Sequence, residues 1–366
     1  MYFGLSEEQK SLEENINRFL ADNASLDTIK AVANGEEDKA QSVHQGILDL
    51  GLSGLVIPEE YGGLELNMLF ATVVAAALGS GTAPVPYAGS YVMAPLAINL
   101  AGSDDQKNQW LPKIAGGECV IGVGLSEYVG AREDAGIEFS NGKLSGRCLF
   151  LIDGKNADAY LLANKSGELF LVEASAPGIE VIELTTVDKT RTSIELILKN
   201  VDADLLSGSD NKSIIEKVLD AGRIMLAADT VGAAQVMLDK SVAYSLERKQ
   251  FGKPIIDFQA VQLQLAEIKM KIDASRLLLY RAVVNADKDL PSIADSSIAK
   301  CFANEMAREV TGKCVQLMGG YGYSKEYPIE QKMRDAWGWG IAGGSIDIQK
   351  TNIASALIGR RFNQRN

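Results

Sequence analysis

Tyr244-Ser-Leu-Glu-Arg-Lys-Gln-Phe-Gly-Lys-Pro-Ile-Ile-Asp-Phe-Gln-Ala-Val-Gln262 lies between two long helical patterns and interrupts them at Gly252 and Pro254. Glycine frees the backbone and proline lacks an N–H donor, so the pair marks a turn. At that break a guanidinium, an amide and an aromatic ring are presented together: Arg248, Gln250 and Phe251. Such a set suits an anion with a flat ring beside it, because a guanidinium grips phosphate oxygens in a fork and an aromatic covers a heterocycle. A second reading stands beside it: a solvated helix end, with Phe251 as a core plug and Gly-Lys-Pro as an ordinary turn.

Outward from this break the chain is helical on both sides. Periodicity predicts spans over 213–247, 258–287, 292–318 and 344–361. Long antiparallel helices joined by short loops make a bundle, and bundles often oligomerise through exposed faces. Between Cys119 and about Val201 the texture is different. Short apolar runs such as Leu144-Ser-Gly-Arg-Cys-Leu-Phe-Leu-Ile and Ser193-Ile-Glu-Leu-Ile-Leu are separated by Gly, Asn, Asp and Pro. They predict a compact β barrel or sandwich rather than a parallel α/β sheet. Gly122 and Gly124 resemble the start of a dinucleotide fingerprint, but no βαβ pattern follows, so the Rossmann reading is weak. Nearest the N-terminus, Ser6 with Gln9 and Ser103 with Gln106 form capping boxes. Helices are predicted from Ser6 through Leu20, over 38–50, 67–78 and about 90–100, and over 103–114. The chain therefore divides into a helical unit (1–118), a β unit (119–208) and a helical bundle (209–366), mainly α with a central β unit.

At 366 residues the chain exceeds what one core usually serves. Hydrophobic content of 46% with 23% charged residues is that of an ordinary globular protein. A net charge of −12 and a pI near 4.8 argue against a nucleic-acid or anionic-membrane surface. Cys119, Cys148, Cys301 and Cys314 show no CxxC spacing, so neither a disulfide framework nor a zinc site is indicated. The only histidine, His44, falls on a predicted surface helix. One histidine builds no metal cluster and makes a Ser-His-Asp hydrolase a poor reading. The N-terminus lacks the basic and apolar regions of a signal peptide, and no apolar run reaches the length of a membrane span. A cytoplasmic protein is expected.

The order helical unit, β unit, bundle, together with Arg248-Lys-Gln-Phe-Gly-Lys-Pro-Ile and Gln316-Leu-Met-Gly-Gly-Tyr-Gly-Tyr, resembles the flavin-dependent acyl-coenzyme A dehydrogenases over essentially the whole chain. The resemblance implies FAD at a subunit contact. One subunit's β unit cups the isoalloxazine, while a neighbour's arginine loop and Gln-x-x-Gly-Gly turn hold the pyrophosphate and adenosine. By residue it implies Arg248, Gln250, Phe251 and Gln259 in the first element and Gln316, Gly319 and Gly320 in the second. Ser126 on the cupping side and Ser345 and Asp347 near the C-terminus join them. It further implies α,β-dehydrogenation of an acyl-CoA, with an electron-transfer flavoprotein as electron acceptor. A carboxylate takes the α-proton in that chemistry.

Both positions the family uses for that carboxylate are glycine here: Gly343 in Ile341-Ala-Gly-Gly-Ser and Gly222 in Leu219-Asp-Ala-Gly-Arg. Glycine accepts no proton. Asp347 and Glu127 are the remaining candidates, though the resemblance points each elsewhere. Glu326, Glu330 and Asp335 are expected to cap helices or pair with Lys325, Lys332 and Arg334. The cupping side departs too. Ser126 and Glu127 match the family's run, bulk and charge replace its flexible end at Arg132 and Glu133, and Phe150-Leu151-Ile152 stands where an indole and a hydroxyl are usual. Asp220 and Arg223, three apart, match acyl-CoA contacts or form a surface ion pair. The expected function is a subunit without its own base that completes the FAD site of a homologous catalytic partner, with steroid side-chain oxidation as one setting. Two alternatives stand beside it: a self-sufficient homotetrameric dehydrogenase with a displaced base, and a flavin-free acyl-CoA-binding or assembly protein. A related flavin monooxygenase, whose chemistry needs no such base, is conceivable as well.

Overall fold

The computed structural model describes residues 4–125, 128, 135–191, 193–208, 211–290 and 292–359. Helices come first: α1 (Glu7–Asn23), α2 (Leu26–Ala33), α3 (Glu37–Asp49), α4 (Met68–Gly81), α5 (Ala94–Ala101) and α6 (Asp104–Ala115). Both expected capping boxes form, Ser6 with Gln9 and Ser103 with Gln106. The segment Tyr87–Met93, expected as ordinary helix from 90 onward, is a π-helix that runs into α5. Helix α2 escapes the periodicity reading because eight residues, capped by Ser25, give only two turns of pattern.

The middle of the chain forms one eight-stranded sheet: β1 (Ile121–Gly124), β2 (Gly136–Ser140), β3 (Lys143–Ile152), β4 (Ala159–Ala163), β5 (Leu169–Glu173), β6 (Ile179–Leu184), β7 (Ser193–Asp202) and β8 (Asp204–Leu206). The order is β6-β7-β3-β1-β4-β5-β8 with β2 beside β3, and only β1 and β4 pair in parallel. The apolar runs do not alternate because both faces are covered. One face, through Val123, Leu161 and Ala163, joins the main helical core. The other gathers Ile137, Leu144, Cys148, Tyr160, Phe170 and Leu196 into a core of its own. Gly122 and Gly124 serve this packing. A Cβ on Gly122 would lie 2.7 Å from the Gly154 Cα, and one on Gly124 2.6 Å from the Leu151 Cγ.

The bundle comprises α7 (Asn211–Glu247), α8 (Gln259–Asp287), α9 (Ile293–Met318), α10 (Ile329–Gly338) and α11 (Ile346–Ile358). Helix α10, behind Tyr327-Pro328, has no counterpart among the expected spans. Helix α7 crosses α4 in backbone contact. A Cβ on Gly232 would sit 1.9 Å from the Ala76 carbonyl oxygen, and one on Gly79 2.1 Å from that of Asp229. Among the described residues no helix is long and apolar enough to cross a membrane.

Candidate functional site

Helix α7 ends at Glu247, and Lys249–Gln250 then pairs with Lys253–Pro254 in a two-residue-per-strand hairpin. Phe251 (φ +51°) and Gly252 (φ +83°) form its tip, and the Ile255 N–H donates to the Arg248 carbonyl at 2.8 Å. Opposite the hairpin, α9 stops at Gly319 (φ +56°) and the chain turns through Gly320. The two motifs thus meet across a cleft of about 520 Å³ lined by Tyr244, Arg248, Gln250, Gly319, Gly320 and Tyr321. A Cβ on either glycine would meet nothing within 4 Å, so the backbone lies open to a ligand. Arg248 is exposed and, among the described residues, makes no ion pair. Glu326 also lines the cleft and puts one carboxylate against this charge. The geometry fits a phosphate-bearing ligand with an aromatic part. Tyr244 and Tyr321, edge to face with centroids 6.0 Å apart, supply the ring contact.

Other expected site residues do not line this cleft. Phe251 is 93% exposed, so it is no core plug; it meets Phe258 edge-on at 6.2 Å. Gln259 opens α8 and Gln316 sits in the last turn of α9, both exposed. Ser345 spends its hydroxyl on the N-cap of α11, accepting from the Ile348 N–H at 3.4 Å. Asp347 is exposed in that helix's first turn. Ser126, Glu127, Arg132 and Glu133 lie outside the described residues.

Of the two glycines at the base positions, Gly222 lies on α7 and Gly343 packs against the next turn of it. A Cβ on Gly343 (φ +67°) would lie 2.7 Å from the Leu226 Cδ1. Gly222, one turn before Leu226, would meet the Met93 Sδ at 2.7 Å. Where Met225 and Leu226 meet Tyr87, Asp153 and Trp339, only about 20 Å³ remains, room for one water and no acyl chain. An ionic cluster fills this junction. Arg191 donates to Asp188 at 3.0 Å and to Asp229 at 2.5 Å, with its guanidinium 4.5 Å from the Trp339 ring centroid. The Trp339 indole N–H donates to the other Asp229 oxygen at 2.6 Å. Burial pushes the Asp229 carboxyl up, against the pull of Arg191. Burial also raises Asp153 to about 6, offset in part by the Gly89 and Ser90 N–H groups. Leu151 and Ile152 are buried, and neither offers a hydroxyl. Among the described residues, the junction at Leu226 itself leaves no room for a flavin ring with its substrate, and a cavity of about 380 Å³ borders it at Asp153 and Arg191.

Asp220 and Arg223 do pair, at 2.7 Å, but both are buried rather than on the surface. Asp220 also accepts from Ser296 at 2.6 Å and from Ser292. Beside them Lys300, fully buried, donates to the Gly344 carbonyl. Burial, helped by Arg223, pushes its ammonium down to about 7. The sequence reading missed Lys300, and its signal was a lysine in register with Ser296, Ala303, Ala307 and Val310 on the inward face of α9. Three further expectations are corrected. Arg334 pairs with Glu330 at 2.9 Å as expected, but Lys332 and Asp335 face inward and do not pair. Lys332 donates to the Ser80 carbonyl and the Thr82 hydroxyl instead, and neither Asp335 oxygen has a hydrogen-bond partner among the described residues. His44 is half-buried, its Nε2 2.5 Å from the Tyr91 hydroxyl, because α3 turns it toward the π-helix.

Residues 6–118 match the family description "Acyl-CoA dehydrogenase, N-terminal domain" and residues 212–358 match "Acyl-CoA dehydrogenase, C-terminal domain". A probable acyl-CoA dehydrogenase of Bacillus subtilis, YngJ, is 31% identical over 98% of this chain and 100% of its own length. Butyryl-CoA dehydrogenase from Megasphaera elsdenii superposes with a TM-score of 0.84 at 26% identity, covering 98% of this chain and all of that one. The steroid ACAD named Tcur3481-Tcur3483 gives a TM-score of 0.87 at 27% identity, covering 96% of this chain and 98% of that one. The chain belongs to the acyl-CoA dehydrogenase family, a family of FAD-dependent oxidoreductases.

Proposed function

We propose that this chain is the base-lacking subunit of a heteromeric acyl-CoA dehydrogenase, completing an FAD site whose catalytic glutamate belongs to a homologous partner. One asymmetry among the described residues carries the reading: the cleft at Arg248 and Gly319 is open at about 520 Å³, while the pocket beside Leu226, against which Gly343 packs, leaves about 20 Å³. In the open cleft Arg248 would grip the pyrophosphate, Gln250 would add an amide, and Gly319-Gly320 would let the backbone approach. FAD held there would supply the hydride acceptor for the partner's acyl-CoA oxidation. Among the described residues both base positions are glycine, and Arg191 is held in the junction by Asp229.

A partner face is available. Leu263, Met270, Leu277 and Val284 are 40–71% exposed on α8 and recur every seven residues, so they form one apolar seam about 32 Å long. The steroid ACAD neighbour, whose name joins two chains, supports an assembly of this kind. The test is a visible spectrum of the chain alone and of the chain co-expressed with a homologue carrying glutamate at the Gly343 position. The reading expects flavin only in the pair. Stoichiometric FAD in the isolated chain, bleached by an acyl-CoA, would establish the self-sufficient alternative instead.

A further inference from the structure

A cavity of about 570 Å³ among the described residues lies away from both regions described above. It opens between α1, α2, α4, α7 and α8, and shares no lining residue with the Arg248 cleft or the Arg191 junction. Helix α4 separates it from the junction: Thr72, Val73, Ala76 and Ala77 face the cavity, Ala75 and Leu78 the other side. Its size falls within the roughly 300 to 1,000 Å³ of small-molecule pockets.

The walls are apolar, through Leu20, Ile29, Val73, Ala77, Val236 and Leu279. Two donors stand in the lining beside Pro328. Gln331 is 4% exposed, and its amide nitrogen has no hydrogen-bond partner among the described residues. A buried amide of that kind costs stability unless something accepts from it. Lys332, 7% exposed, spends two protons on the Ser80 carbonyl and the Thr82 hydroxyl, both neutral, and none on a carboxylate. Burial pushes its ammonium down to about 8, which leaves it charged at neutral pH. Around the cavity Lys240, Arg276 and Lys332 face Glu13 and Asp239, and Asp273 lies 3.7 Å from the Arg276 guanidinium, which leaves Lys332 as the cation set apart from these carboxylates.

We infer that this cavity binds a small amphipathic monoanion, an aliphatic carboxylate whose chain lies along α4 and α7 and whose head accepts from the Gln331 amide and the Lys332 ammonium. Two donors match the two oxygens of a carboxylate, and the Lys332 ammonium, which donates only to neutral groups, matches one negative charge. A dianionic phosphate would leave charge uncompensated in an apolar enclosure. The site is independent of the FAD reading: it needs neither flavin nor a partner subunit.

The probe is decanoate, titrated calorimetrically into the full-length chain below its micellar concentration, with decyltrimethylammonium as the opposite-charge control. One saturable decanoate site per chain is expected, with no comparable binding of the cation. Gln331→Leu removes the unpartnered amide without exposing new polar surface and should weaken decanoate about tenfold. Ala21→Trp, at an exposed lining position on α1, fills the mouth and should weaken it at least as much with the ligand-free melting temperature unchanged. Arg248→Ala should leave it untouched. No saturable binding, equal binding of the cation, indifference to both cavity variants, or loss of binding in Arg248→Ala would each overturn the inference.

Discussion

Restoring a carboxylate at the base position by Gly343→Glu tests whether the missing glutamate is the only defect. Gly343 holds φ at +67°, a left-handed conformation that costs an L-residue roughly 1–2 kcal/mol. The new Cβ would fall 2.7 Å from the Leu226 Cδ1, and Leu226 is 1% exposed, packed where only about 20 Å³ is free. Moving it adds an overpacking cost of roughly 1–3 kcal/mol. The backbone has little freedom to relax, since Gln349 donates to the Gly343 and Gly344 carbonyls at 3.1 Å and Lys300 also donates to Gly344. The variant should therefore lose about 2–5 kcal/mol in a urea titration. It should gain no dehydrogenase activity, read as flavin bleaching by acyl-CoA in the co-expressed complex, because Arg191 and Trp339 still occupy the junction. A variant within about 0.5 kcal/mol of the parent that oxidises acyl-CoA would refute both the packing argument and the claim of a closed site.

Arg248→Ala should lower FAD affinity of the complex about 10- to 100-fold, the worth of a charge-assisted fork, while the isolated chain melts unchanged; flavin content after gel filtration measures it. Arg191→Met leaves Asp229 and Asp188 buried without their cation and should cost about 3–5 kcal/mol by chemical denaturation. Lys300 contributes a pH slope. Its folded pKa of about 7 lies below that of an unfolded lysine, so the unfolded state binds more protons between those values and stability rises with pH. Relative to Lys300→Met, the parent should therefore gain up to about 2 kcal/mol from pH 7 to pH 9, and parallel curves would remove Lys300 as the cause. Met270→Glu, in the middle of the α8 seam, should disrupt assembly on native mass spectrometry with the monomer fold intact by circular dichroism.

Helix spacing in α7, α8 and α9 was readable because each runs long enough for the apolar period to repeat many times, and the capping boxes carried their own signature. The pairing of Arg248 with Gly319 was readable only through the resemblance, since 71 residues separate them and nothing local says they meet. The Tyr244–Tyr321 wall of the same cleft was missed, although both residues lie within the quoted stretches. Arg191 was unreadable for a different reason. It sits in a loop before β7, and its partners Asp229 and Trp339 lie in α7 and just beyond α10, so no local pattern links them. Lys332 and Asp335 misled because charged residues three apart on a short helix look like a solvated pair, and only the packing of α10 against Ser80 and Thr82 shows the inward face.

The seam on α8 also bears on how such a protein must be made. An apolar strip two turns apart in every repeat, left uncovered, offers the same surface to any second copy of the chain. On the proposed heteromeric reading, synthesis ahead of the partner would favour self-association through Leu263, Met270, Leu277 and Val284, and excess copies would be drawn into aggregates or proteolysis. Balanced production of the two proposed subunits would then be a physical requirement of this helix as much as a matter of stoichiometry.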